Sequence, residues 1–114
     1  MGKKTRKEVA MEESLTLRKS APPELSEHGF IRHVSVLEVE IGHGALSTMR
    51  KAMKEVAAQT GMRYADIMHG LSAQMYWVES TGVLLCVIPL PEDDLYLEIP
   101  EDSWRIRELS QATH

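Results

Sequence analysis

The run Val83–Ile88, Val-Leu-Leu-Cys-Val-Ile, is apolar at every position. A strand with one wet face alternates apolar and polar side chains, so a run without alternation belongs to a strand covered on both faces. The fold must therefore supply two layers of cover for this one segment. Pro89 and Pro91 end it, since proline donates no hydrogen bond to a ladder, and Glu92-Asp93-Asp94 continues as a polar connection.

Periodicity predicts the neighbouring elements. Leu95, Leu97 and Ile99 alternate with Tyr96 and Glu98, a half-buried strand that Pro100 stops. Residues 33–41 alternate likewise, with Leu37, Val39 and Ile41 inward and Glu38 and Glu40 outward. They predict one strand, broken by Gly42-His43-Gly44. Residues 45–59 predict a helix, because Leu46, Met49, Met53 and Val56 recur at three and four residues. Gly61 stands where a left-handed residue ends such a helix.

A second helix is expected over 63–74 from the stripe Tyr64, Ile67, Met68, Leu71 and Met75, although Met75-Tyr76-Trp77-Val78 also suits the start of a strand. Residues 103–109 suit a short helix or a last strand with Trp104 and Ile106 inward. The order is strand, helix, helix, strand, strand. It predicts an α+β fold with two helices on one face of a small, mostly antiparallel three-stranded sheet. The second face of residues 83–88 is then left to the tail, the C-terminal element or another molecule, and a homodimer is the expectation.

A chain of 114 residues supports one domain. Residues 1–29 mix six basic groups with five glutamates, scatter their large apolar residues, and carry the break Ser20-Ala21-Pro22-Pro23. They read as a flexible tail ahead of a single α+β domain over 30–114. That domain holds seven basic and twelve acidic residues. Such a balance repels phosphate backbones unless the cations gather on one face. Cys86 is the single cysteine, so no internal disulfide forms, and no apolar run approaches the ~20 residues that span a bilayer. The basic start is followed by no apolar segment, so the expectation is a cytoplasmic protein without a membrane partner.

Residues 56–71 carry a motif. Ala57 is followed four residues on by Gly61, then by Met62, and the branched Ile67 stands six after the glycine. A small residue lets two helices approach, glycine permits the turn, and the branched residue locks the second helix. In these places the segment resembles the helix-turn-helix of bacterial repressors, especially those of the lactose-repressor family. It departs at Gly70, where a bulky apolar residue is usual. The resemblance implies a DNA-binding regulator in which Arg63, Tyr64, Asp66 and His69 face the major groove. Arg50, Lys51 and Lys54 would add a basic patch on the first helix. Asp66 and the acidic run at 92–94 have the wrong sign for a backbone contact.

Other candidate chemistry is sparse. His28, His33, His43, His69 and His114 show no metal-ligand spacing with each other or with carboxylates or the cysteine. Neither a GxGxxG nor a GxxxxGK[ST] phosphate loop occurs. No cofactor is expected. The triplets Pro91-Glu92-Asp93 and Pro100-Glu101-Asp102 read as solvated acidic loops rather than an acid-base pair. Among the methionines Met62 is the one expected at the surface, where the flexible thioether suits an adaptable contact. Met62, Glu92, Asp93 and Asp94 are therefore the candidate partner-binding residues. The expected function is a non-enzymatic regulatory or protein-interaction module, homodimeric or bound to another protein. The helix-turn-helix regulator is the alternative.

Overall fold

The computed structural model describes residues 15–21 and 31–107. The expectations for residues 1–14, 22–30 and 108–114 lie outside these described residues. Val83–Ile88 forms the centre of the molecule. In order, the described elements are β1 (Thr16–Arg18), β2 (Ile31–Val34), β3 (Val39–Ile41), α1 (His43–Thr60), α2 (Tyr64–Ala73), β4 (Met75–Val78), β5 (Val83–Ile88), β6 (Leu95–Ile99) and β7 (Trp104–Ile106). A single 3-10 turn, Glu101–Ser103, leads into β7.

The fold class is α+β, but the sheet is not the three-stranded one expected. Five strands form an antiparallel sheet in the order β1-β6-β5-β4-β2, and β3 pairs with β7 in a separate two-stranded ribbon. The order strand-helix-helix-strand-strand is corrected accordingly.

Each difference has a local cause. The alternation over 33–41 is interrupted by a turn rather than continued as one strand. Glu38 N–H donates to Ser35 O at 2.9 Å, Leu37 N–H to Ser35 Oγ at 3.1 Å, and Ser35 N–H to Glu38 Oε2 at 3.2 Å. Serine and glutamate side chains thus satisfy the turn's own backbone, a competitor to the ladder that alternation cannot reveal. Leu37, expected inward, is 71% exposed at the turn's tip. The two halves then part, β2 joining β4 and β3 joining β7.

Met75-Tyr76-Trp77-Val78 takes the strand option, pairing with both β5 and β2. Thr16–Arg18, within the segment read as a tail, pairs with β6 at the far edge.

The helices match their periodicity. Met49, Met53 and Val56 of α1 and Ile67 and Leu71 of α2 are buried. Gly61 ends α1 at φ 79°, and its N–H donates to Ala57 O. These side chains share one core with Val34, Met75, Leu84, Cys86, Ile88, Leu95, Leu97 and Ile99 from one face of the five-stranded sheet, and with Val39 and Trp104 from the ribbon. Helices and ribbon therefore lie on the same face. Full burial of each such aliphatic side chain is worth about 1.5–3 kcal/mol.

On the opposite face Leu85 and Val87 are 1% and 8% exposed within a single chain. Burial of β5 on both sides, as its composition demands, does not call for a second copy.

Leu84→Ala should lose about 2–5 kcal/mol of unfolding free energy, because the central strand cannot collapse into the space left. Leu37→Ser should change stability by less than about 0.5 kcal/mol, as surface substitutions do. Urea midpoints at unchanged slope measure both. A large loss for Leu37→Ser would restore the single inward-facing strand over 33–41.

Candidate functional site

The connection between β5 and β6 positions the site. It leaves the sheet at Pro89, whose ring packs against α2. A β-carbon built on Gly70 would lie 3.0 Å from Pro89 Cδ, so glycine is what lets this loop approach the helix. Leu90 then packs against the core, while Glu92, Asp93 and Asp94 stand in solvent. Leu95 returns the chain to the interior.

Facing the loop is the last turn of α1. There Thr60 Oγ1 donates to Val56 O at 2.8 Å and accepts from Met62 N–H at 3.2 Å, so its hydroxyl is occupied by backbone. The third wall is β1. Leu17 lies opposite Leu97, and Lys19 follows it toward the acidic loop.

These walls enclose an open groove of about 520 Å³. Leu17, Val56, Leu90 and Leu95 supply its apolar surface, Gln59 and Thr60 one polar side, and Glu92, Asp93 and Asp94 its lip. Lys19 is the cation among the lining residues. Three carboxylates on one short exposed loop make a local negative field that dissolved salt screens beyond about a Debye length, ~8 Å at physiological ionic strength. The groove can hold an aliphatic side chain and attract a cation beside it.

Of the residues read from sequence, the acidic run Glu92-Asp93-Asp94 meets this groove and Met62 does not line it. Met62 is half-buried against the core. Leu17, Lys19, Gln59, Thr60 and Leu90 were missed. The only sequence signal for the first two was a short basic-aliphatic stretch, Thr-Leu-Arg-Lys, inside a mixed-charge tail.

The residues assigned to DNA are placed differently. Arg50, Lys51 and Lys54 are exposed on α1, and Arg63 is exposed just before α2. Lys54 Nζ stands 5.7 Å from the centroid of the half-buried Tyr64 ring, which joins the two helices by a cation-π contact. The exposed side of α2 carries Ala65, Asp66, His69 and Ala73, a set without a permanent cation. Ile67, Gly70 and Leu71 turn toward the sheet and Pro89.

A second, shallower hollow of about 470 Å³ lies by the ribbon. Trp77 and Trp104 meet there edge to face at 5.8 Å, and Trp104 Nε1–H donates to Gly82 O at 2.9 Å. Arg32 covers the Trp77 ring at 4.9 Å. The aromatic surface is thus engaged by the protein itself.

Among the described residues no three His, Cys, Asp or Glu side chains gather as a metal site, and no helix is long and apolar enough to cross a membrane. Comparison with known families, curated proteins and solved structures returned no match to this chain.

Cys86 sits in the middle of β5 with no exposure. Burial pushes its thiol from 9.0 up to about 12. The neutral thiol is the form the fold tolerates, so reaction with a maleimide at neutral pH should be negligible until the chain unfolds. The same shift has a sign for stability. Below about pH 9 both states hold the proton and the full stability is present; between there and about 12 only the unfolded chain releases it. Stability should fall with rising pH across that window, by at most about 1.4 kcal/mol per unit from this group. Denaturation of the wild type and Cys86→Ala at about pH 8 and about pH 10.5 measures it, the variant being expected to show the shallower slope.

Proposed function

We propose that the protein is a non-enzymatic interaction module whose groove between α1, β1 and the loop at 89–94 receives a basic, aliphatic-anchored segment of a protein partner. The observation that carries the reading is the composition of the groove. Its apolar wall of Val56, Leu90 and Leu95 adjoins a lip of three exposed carboxylates, and the chain's own Leu17 and Lys19 already sit in it. An aliphatic side chain beside a cation is therefore the chemistry the groove accommodates.

The division of labour is the ordinary one for a small interface. An aliphatic anchor in a desolvated pocket supplies affinity, while exposed charges at the rim steer encounter and select the sign of the partner. The carboxylates stand on a loop in water rather than in a desolvated cleft, which suits recognition better than proton transfer. A regulatory role follows if the bound segment belongs to a protein whose other contacts the module blocks.

A labelled peptide Leu-Lys-Leu-Arg-Lys is the probe, with Leu-Glu-Leu-Glu-Glu as its counterpart. The basic peptide should bind with an affinity that falls as salt is raised, and Glu92→Lys with Asp94→Lys should weaken it about tenfold or more, the equivalent of about 1.4 kcal/mol. The acidic peptide should not bind. Equal binding of the two peptides, or indifference to the charge reversals, would sink the proposal.

A further inference from the structure

The groove is one half of a contact whose other half stands on the same chain. We infer that its partner is a second copy of this protein, entering by the turn 35–38 so that molecules join head to tail. The inference rests on the groove reading and names the partner.

Among the described residues three large hydrophobics are exposed: Leu17 at 42%, Val36 at 49% and Leu37 at 71%. Leu17 is a wall of the groove. Val36 and Leu37 are neighbours at the tip of the turn between β2 and β3. Exposed apolar surface thus collects at two places, one concave and one convex. A protruding apolar pair and an apolar hollow elsewhere on one molecule are the two halves of a heterologous contact.

The tip is held in shape. Leu37 N–H donates to Ser35 Oγ and Ser35 N–H to Glu38 Oε2, which closes the turn on itself. At its base Arg107 N–H donates to Glu38 O at 2.6 Å, and Arg107 Nη2 to Val39 O at 3.2 Å. A preformed loop therefore presents the aliphatic pair, and little conformational freedom remains to be lost on binding.

The same bonds sort the charges around the tip. The Glu38 carboxylate is turned to the backbone of its own turn, and Glu40 pairs with Arg105 at 2.9 Å. Arg107, exposed at the base of the turn, makes no ion pair among the described residues. Two aliphatic side chains with a guanidinium beside them match the groove. Val56, Leu90 and Leu95 supply its apolar wall, and Glu92, Asp93 and Asp94 its acidic lip.

The contact joins different molecules. The turn leaves the sheet from β2 and the groove borders β1, and these strands are opposite edges of the sheet. Four strand spacings separate them, about 19 Å, so no molecule fills its own groove. Each copy offers one tip and one groove on opposite flanks. Such joining extends into chains unless the rotation between copies closes a ring. Two aliphatic side chains and a rim of charge make a small contact, so the association is weak.

The test is sedimentation velocity on the full chain at about 10 µM and about 500 µM, a span suited to weak contacts; the average mass of the wild type should rise at least about twofold across it. Val36→Ser with Leu37→Ser removes the tip, and Glu92→Lys with Asp94→Lys reverses the lip. Each double variant alone should stay monomeric at both concentrations. Mixed in equal amounts they should form a dimer and nothing larger, since one supplies the sound groove and the other the sound tip.

A monomeric wild type, or association that survives loss of the tip, would overturn the inference. So would a mixture that stays monomeric, the result of a symmetric tip-to-tip contact. Should the variants fold poorly, the wild type decides. Excess Leu-Lys-Leu-Arg-Lys should return its assemblies to monomers, and assemblies indifferent to the peptide would place the contact elsewhere and defeat the inference. A monomeric wild type that still binds the peptide removes the second copy and keeps the groove, so the two readings fail separately.

Discussion

The two-sided burial of β5 is the constraint on which the rest of the structure depends. Leu84, Cys86 and Ile88 enter the main core, and Leu85 and Val87 are buried on the opposite face. A segment buried on both sides cannot lie at an edge, so strands must flank it, and β4 and β6 do. The flanking strands then need only one strongly apolar face each. Met75 on β4 and Leu95, Leu97 and Ile99 on β6 supply it, while Tyr76, Tyr96 and Glu98, together with the buried Val78, form a mixed opposite surface. From β5 outward the sheet becomes progressively more polar and its strands more exposed, until β1 is exposed at every residue. The candidate site is at that end.

The same constraint fixes the acidic lip. β5 must be followed by a reversal into β6, and two prolines keep that reversal out of the ladder. Pro89 stacks on the bare backbone of Gly70, and Leu90 is drawn toward the core, which turns Pro91 and the three acidic residues after it outward together. Glu92, Asp93 and Asp94 therefore project beside the end of α1. No interaction among the carboxylates is required for this; aliphatic packing behind them does the positioning.

Legibility in the sequence followed the strength of each local signal. β5 and β6, and the helix ended by Gly61, stood out because burial and backbone geometry each demanded one kind of residue. The region at 33–41 misled because a Ser-Glu turn imitates alternation: Val39 and Ile41 do turn inward, but Leu37 between the turn residues does not. β1 carried no signal beyond the short stretch Thr-Leu-Arg-Lys, since three exposed residues paired to an edge need no apolar period at all. The sheet width was misjudged for these two reasons together with the strand choice at Met75–Val78. In the site, the acidic loop was legible from composition, whereas its apolar wall is assembled from three elements distant in sequence. Only tertiary structure brings Leu17, Val56 and Leu90 together.

The helix-turn-helix likeness shows why a packing motif is weaker evidence than the surface it presents. Ala57, Gly61 and Ile67 are explained by the corner between α1 and α2: a small half-buried residue, a left-handed cap, and a side chain 1% exposed in the core. Any two helices turning sharply onto a sheet need the same three properties. What distinguishes a DNA reader is the outward face of the second helix, and here that face offers Asp66 and His69 rather than permanent cations. Gly70, the departure from the repressor pattern, is not a defect in this setting. It faces the loop that carries the acidic lip, and a bulky residue there would displace Pro89. The residue least like a DNA-binding helix is thus one that builds the groove.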